Sequence, residues 1–357
     1  MDTLLQTVLS QFPLDGAVVS CERYGCGHIN ETYLVVTAST RRYILQKLSN
    51  RAFPNIAALQ ENIAAVTAYL HTQVTDANEA LTLIHTVDGK QWYHHGENSD
   101  WRMYDFIEDS ICLQAPETPE DFYQSAIAFG TFQQQLKDFP AATLHETIEK
   151  FHDTPNRYRL FKQALEADVM GRAKEVQPEI DFALAHEAVG SRLVGLLEQG
   201  ELPLRVTHND TKLNNVMLRA DTRTPLCVID LDTTMPGLSA YDFGDSIRFG
   251  AATAAEDEKE LSKMTIDLEL YRTFTRGFLT ACPGLTPQER ASLPLGALTM
   301  TLECGVRFLT DYLDGDHYFG IHYPTHNLDR CRTQFKLVSE MEKNWAAMER
   351  IIQEESV

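Results

Sequence analysis

Nowhere in the 357 residues does an apolar run approach the roughly 20 residues that a membrane span needs. Basic residues are also scarce: 31 Lys and Arg stand against 51 Asp and Glu, a net charge of −20. That balance argues against a chain that wraps nucleic acid or lies on an anionic membrane. The seven cysteines are scattered and odd in number, and no pair has C-x-x-C spacing. Neither a disulfide framework nor a thiolate zinc site follows from them, and reduced thiols in a cytoplasm are the expectation. There is no internal repeat, no low-complexity tract and no basic segment at the start of the chain. Leu4, Leu5, Val8, Leu9 and Phe12 recur at helical spacing, which predicts a docking helix there rather than a signal peptide. What remains is ordinary globular composition, 43% hydrophobic and 23% charged. The length suits two or three domains, or one large two-lobed one.

The first hundred residues read as strands. Segments 18–21, 33–36 and 43–48 are rich in β-branched and aromatic residues, and Ser39-Thr40-Arg41 breaks the last two. Residues 55–71 predict a helix, with Ile56, Leu59, Ile63, Val66 and Leu70 on one stripe. Short strands follow near 81–86, 91–94 and 101–107. From about 119 the pattern turns helical, with helices predicted over 119–137, 156–170, 179–199, 262–280, 292–313 and 327–352. The fold class expected is α+β, a β-rich lobe over 1–107 and a larger, mainly helical lobe over 108–357. One island of short strands, at 204–207, 215–219 and 226–230, interrupts the helices, and it holds the most patterned polar residues of the chain.

That island reads V-T-H-N-D-T-K-L-N-N-V-M-L and then L-C-V-I-D-L-D-T. Phosphoryl transfer needs a carboxylate to orient an acceptor hydroxyl, and a neutral oxygen and a second carboxylate to hold Mg²⁺ against nucleotide phosphates. Asp210, Asn215 and Asp230 supply those groups in that order, and His208 sits where it would brace the loop. Taken singly, Asp210 and Asn215 are equally read as turn residues. Upstream, Gly25 and Gly27 in Tyr24–Asn30 make either a bare hairpin turn or a loop whose N–H groups approach phosphate. Lys47 ends a strand, either facing phosphates or standing at an edge in solvent. Glu61 on the next helix either holds Lys47 or lies on the helix surface. Residues 101–107, with Tyr104 and Ile107, predict a strand entering a hinge that would wall an adenine.

The glycine turn, Y-I-L-Q-K and H-N-D-T-K-L-N-N together resemble the aminoglycoside phosphotransferase group of the protein-kinase-like fold. The longer strings V-I-D-L-D-T-T-M-P-G-L-S-A-Y-D-F-G-D-S-I-R-F-G and R-F-L-T-D-Y-L-D-G-D are similar to the N-acetylhexosamine 1-kinases within it. The resemblance runs from the glycine turn to about Gln334. It implies ATP as co-substrate, Mg²⁺ as cofactor, and N-acetylglucosamine or N-acetylgalactosamine as acceptor at the anomeric hydroxyl. It implies Asp210 as the catalytic carboxylate, Asn215 and Asp230 as metal ligands with Asp232 assisting, Lys47 on the phosphates, and Asp242 bracing the catalytic loop. The sugar would meet His28, Asn209, Arg307, Asp316 and Tyr318, although Glu303, four residues before Arg307, would also suit an ordinary helix ion pair. No D-F-G stands at the metal strand, no A-P-E follows, and His208-Asn209-Asp210 lacks the arginine of H-R-D, which points away from protein substrates. Rival readings are a kinase for choline, ethanolamine, homoserine or an aminoglycoside, and a nucleotide-binding pseudokinase without turnover.

Overall fold

The computed structural model describes residues 2–25, 27 and 29–356. Its backbone divides into two units, one of Met1–Cys112, Asp138–Glu149 and Val216–Met235, the other of Leu113–Lys137, Lys150–Asn215 and Pro236–Val357.

The first unit opens with helix α1 (Thr3–Leu9) and strands β1 (Val18–Arg23), β2 (Glu31–Thr37) and β3 (Arg42–Lys47), followed by helix α2 (Ile56–Leu70). Strands β4 (Leu83–Ile84), β5 (Tyr93–His94) and β6 (Asp100–Asp105) complete an antiparallel sheet in the order β1-β2-β3-β6-β4, with β5 also on β6. Because side chains alternate across a strand, Val35, Tyr43, Leu45, Trp101 and Met103 fall on one face and pack with Val8, Leu9 and Phe12 of the first helix and its exit. The opposite face carries one polar row, since the register sets Thr32 beside Gln46 and Gln46 beside Arg102, next to an apolar row of Leu34, Ile44 and Tyr104. Gln46 donates to Thr32 at 3.0 Å and accepts from Arg102 at 2.9 Å.

A second, three-stranded sheet joins β7 (Ser110–Cys112) to β9 (Val216–Arg219) and β10 (Pro225–Val228). The buried amide of Asn62 on α2 donates to the carbonyls of His145 (2.8 Å) and Thr234 (3.1 Å) and accepts from the His145 N–H. The two units of the backbone do not follow a single division at 107/108. Two later excursions of the chain, 138–149 and 216–235, fold with the N-terminal sheet, because the β7–β9 ladder and Asn62 give them their backbone hydrogen bonds there.

The second unit is helical: α3 (Pro119–Gln135), α4 (Thr154–Ala167), α5 (Gln177–Gly190), α6 (Arg192–Glu198), α7 (Ser239–Gly250), α8 (Leu268–Ala281), α9 (Pro287–Asp314), α10 (His326–Lys343) and α11 (Trp345–Glu355). Strand β8 (Arg205–Thr207) pairs with β11 (Met235–Gly237). The segment read as one helix over 179–199 breaks at Ser191, and that over 327–352 breaks at Asn344. Helix α9 starts five residues before the expected 292 because Thr286 and Glu289 form a capping box ahead of it, and it continues through Pro294. Helix α7 carries no strong sequence signal, having Gly244 within and Gly250 at its end. It crosses α9 so closely that a Cβ on Gly244 would lie 2.3 Å from the Gly296 carbonyl oxygen. Its Phe243 meets Tyr271, Phe274 and Phe278 of α8 edge-on, at 5.6–5.8 Å between ring centroids. No helix of the described residues is long and apolar enough to cross a membrane.

Candidate active site

In the helical unit, β8 runs directly into His208-Asn209-Asp210. The His208 ring is fully buried against the edges of Phe129 and Phe132 on α3, and its Nδ1 accepts from the Asp210 N–H at 3.3 Å. Asn209 takes a left-handed backbone (φ +64°), a conformation that costs most side chains about 1–2 kcal/mol and is easiest for Asn and Asp. The first turns of α7 hold this bend. The buried Asp242 carboxylate accepts the N–H groups of His208 (2.9 Å) and Asn209 (2.8 Å) and the amide of Gln133 (2.7 Å). Burial pushes its carboxyl above the usual range in spite of those donors. Asp245 accepts the Thr211 N–H at 3.0 Å, the Thr211 hydroxyl donates to the Asp242 carbonyl, and Ser246 donates to the Thr211 carbonyl.

The outcome of this bracing is a partly exposed Asp210 carboxylate. One oxygen meets the Lys212 ammonium at 2.8 Å, and the other accepts from the Asn215 amide at 3.1 Å. Burial alone would lower the pKa of Lys212, but the Asp210 carboxylate and Asp245 behind it more than offset this and raise it. Asn215 also donates to the Asp210 carbonyl at 2.8 Å, which leaves its Oδ1 as the atom open to a cation. Lys212 escaped the sequence reading. Its signal was present, as a lone cation two residues past the loop aspartate.

In the sheet unit, Asp230 follows β10 with its own left-handed backbone (φ +59°) and lies exposed. Asp232 differs. It is buried, its Oδ1 is 2.5 Å from the Arg102 guanidinium, and its Oδ2 accepts from the Asn30 amide at 2.6 Å. One oxygen is hydrogen-bonded and the other ion-paired within the protein, which sets Asp232 apart from the exposed Asp230. An exposed carboxylate and a neutral amide oxygen are hard donors of the kind Mg²⁺ takes, so Asp230 in the sheet unit and Asn215 in the helical unit each suit that ion by their own chemistry.

Lys47 stands directly opposite Glu31 in the β2–β3 register and its ammonium lies 3.7 Å from that carboxylate. Glu61 instead meets His145 at 2.7 Å, so the expected Lys47–Glu61 pair is not formed. The cause is register: the cross-strand neighbour reaches Lys47 without help from the helix. Gly25 has φ +75° and a Cβ there would meet nothing within 4 Å, while a Cβ on Gly27 would only graze the Asn30 carbonyl. Tyr104 and Ile107 are buried, Tyr104 with the Arg102 guanidinium over its ring at 5.2 Å. His28 lies outside the described residues.

The remaining acceptor candidates separate. Asp316 is spent on structure, accepting from Arg172 (2.7 Å) and Asn327 (2.9 Å) with its side chain 4% exposed. Asn209 is buried within the loop. Arg307 does not pair with Glu303, which binds His152 (2.9 Å) and Thr154 (2.7 Å) instead. Its guanidinium lies over the rings of Phe151 (5.3 Å), Tyr318 (5.6 Å) and Phe319 (5.4 Å) and donates to the Tyr318 hydroxyl at 3.3 Å. Arg307, Tyr318, Phe319, Thr310, Arg157 and Asp314 line a cavity of about 150 Å³. Arg157 was not anticipated. It donates to the Phe151 carbonyl, and burial lowers its pKa, as does the charge of Arg307. Asp311 on α9 shapes this wall, accepting the N–H groups of His317, Tyr318 and Phe319 at 2.8–2.9 Å.

A family model described as the phosphotransferase enzyme family matches residues 20–272. Among solved structures, the chain is similar to a microcompartment-associated aminopropanol kinase, with a TM-score of 0.68 and 16% identity over 97% of this chain and 98% of that one. It is similar to an aminoglycoside phosphotransferase from Alicyclobacillus acidocaldarius, with a TM-score of 0.64 and 13% identity over 98% and 96% of the two chains. A choline kinase from Cryptosporidium parvum matches with a TM-score of 0.57 and 12% identity over 96% of each chain. These likenesses are of fold: a small antiparallel-sheet lobe and a larger helical lobe, α+β and kinase-like.

Proposed function

The chain belongs to the phosphotransferase enzyme family, and we propose that it moves the γ-phosphoryl group of ATP to the anomeric hydroxyl of an N-acetylhexosamine. The observation that carries the acceptor class is the cage around Arg307. A kinase for choline, ethanolamine or an aminoglycoside must hold a cation, with aromatic faces or free carboxylates. Here the three aromatic rings are already occupied by the protein's own guanidinium. Of the nearby carboxylates, those of Glu303, Asp311 and Asp316 are hydrogen-bonded within the protein, and Asp314 alone lines the cavity as an exposed carboxylate beside the two guanidiniums. Neither Arg307 nor Arg157 has a carboxylate within ion-pairing distance among the described residues. Two guanidiniums and a tyrosine hydroxyl favour an uncharged acceptor rich in oxygen, as an N-acetylated sugar is.

The roles divide between the units. In the helical unit, Asp210 orients the acceptor hydroxyl and takes its proton late, and Lys212 holds that carboxylate in place and adds positive charge beside the transferring group. In the sheet unit, the Gly25–Gly27 turn and Lys47 serve the nucleotide phosphates, and Tyr104 and Ile107 the adenine end. Asp230 and Asn215 would hold Mg²⁺, which when bound neutralises charge on the phosphates. With ATP as donor, the setting is cytoplasmic. Little base strength is asked of Asp210, because the transition state is loose.

The test is a panel of N-acetylglucosamine, N-acetylgalactosamine, glucose, choline, ethanolamine, homoserine and kanamycin with ATP and Mg²⁺, read by phosphorus and proton NMR. A phosphorus-coupled anomeric proton on the N-acetylhexosamines alone supports the reading. Turnover with an amine-bearing acceptor alone refutes the sugar, and ATP binding with silence across the panel turns the reading toward a pseudokinase.

A further inference from the structure

Resting on the reading that the glycine turn, Lys47 and Asp230 serve nucleotide and metal, we infer that Asn30, Asp232 and Arg102 form a truss that sets the spacing of those three segments. They come from three distant stretches of chain, yet one side chain reaches beside each. Asn30 itself closes the glycine turn. Its Oδ1 accepts the backbone N–H of Ser49, two residues past Lys47, at 3.0 Å. Its Nδ2 donates to Asp232, two residues past Asp230, at 2.6 Å.

Asp232 is the fixed end of this link. Its other oxygen faces Arg102 at 2.5 Å, and its carbonyl accepts from the Thr147 hydroxyl at 3.0 Å. Arg102 is anchored in turn by Gln46 on β3, which is hydrogen-bonded to Thr32 on β2. A guanidinium 1% exposed inside a sheet is held there only at a large desolvation cost, offset by a well-placed carboxylate. The arrangement therefore ties the residue after the metal aspartate to the sheet that presents the glycine turn. Asp232 and Asn30 are positioning residues, and the metal ligand of this strand end is the exposed Asp230. Of this truss only Asp232 stands out in sequence, where a lone arginine in the strand W-R-M-Y is the sole hint of its partner.

The experiment is ADP binding by calorimetry, once in EDTA and once with Mg²⁺, on the full chain. Asn30→Ala, at a half-exposed position, weakens ADP binding about tenfold, the loss of one hydrogen bond to a charged group, and by the same factor with and without Mg²⁺. The double variant Arg102→Met with Asp232→Leu replaces a buried ion pair by apolar side chains, an exchange that often keeps stability. It retains the wild-type melting temperature and still binds ADP about tenfold more weakly. Wild-type ADP affinity in EDTA for Asn30→Ala overturns the inference, whether or not a loss appears with Mg²⁺. So does wild-type affinity in a folded double variant. Should the double variant not fold, Asn30→Ala decides alone. A wild-type chain that binds no ADP under either condition overturns the nucleotide reading itself, an outcome distinct from equal binding by all variants.

Discussion

Gly244→Ala should damage both catalysis and stability. An added Cβ would sit 2.3 Å from the Gly296 carbonyl oxygen, 2.5 Å from its carbon and 2.9 Å from Met300 Cγ, whereas ordinary contact begins near 3.4 Å. Two of those three atoms are backbone, so α7 must move from α9 by about an ångström, and packed interiors yield little. Overpacking of this kind costs about 3 kcal/mol. Alanine returns about 1 kcal/mol of helix propensity, leaving a net loss of about 2 kcal/mol and a melting temperature lower by about 4–8 °C. The same shift carries Asp242 and Asp245, which hold His208, Asn209 and Thr211 by their N–H groups. An ångström at a catalytic loop costs about 10²-fold in rate. Gly195→Ala is the control, because a Cβ there meets only the Gln199 side chain, at 3.8 Å. It should raise stability by about 0.4–1 kcal/mol and leave turnover alone. Thermal unfolding and kcat on both variants give the answer. If Gly244→Ala melts higher, as Gly195→Ala should, the close crossing does not govern α7 and the reasoning fails.

Asp210→Asn should lose turnover by more than about 10³-fold while ADP affinity stays within about twofold, since the carboxylate serves the acceptor. A parallel loss of ADP affinity in calorimetry would remove it from that role. Arg307→Ala should raise the acceptor KM by about 10²-fold with the ATP KM unchanged. By emptying the cage of Phe151, Tyr318 and Phe319 it should also bring choline binding worth about 1 kcal/mol. An unchanged acceptor KM would sink the sugar-side assignment. Acid should unfold the helical unit through Glu289 and Glu303. Burial raises both carboxyls, but Arg205 with the Thr286 N–H, and His152 with the two arginines, outweigh it and hold them below 4.5. The stability they contribute is present above 4.5 and is lost as pH falls through their native values. Urea unfolding between about pH 3 and 6 should therefore steepen below that point, and less so in Glu289→Gln.

Much of the fold is legible because periodicity speaks directly of burial. Val35, Tyr43, Leu45, Trp101 and Met103 alternate along their strands, and each lies on the core face of the first sheet. The stripe of α2 is equally plain, and Ile56, Leu59, Ile63, Val66 and Leu70 are all buried. Helix α7 escapes such reading, since its glycines weaken intrinsic helicity and its stability comes from α8 and α9 packed against it. Strand β7 escapes for a related reason. Three residues hold no period, and only a partner a hundred positions away makes them a strand.

At the candidate site, His208, Asp210, Asn215 and Asp230 stand within 23 residues, so their residue types and order are legible from spacing. What spacing does not carry is which carboxylates are already taken. Asp230 and Asp232 are two residues apart and alike as letters. One is exposed in a left-handed turn, and the other is buried against Arg102. Asp316 and Glu61 likewise meet partners distant in sequence, Arg172 and His145. The inventory of groups, and the local geometry that short-range hydrogen bonds impose, follow from residue order. Which charges are spent holding the protein together and which stay available to a ligand follow from the packed fold, because desolvation and ion pairing depend on neighbours that the linear order does not bring together.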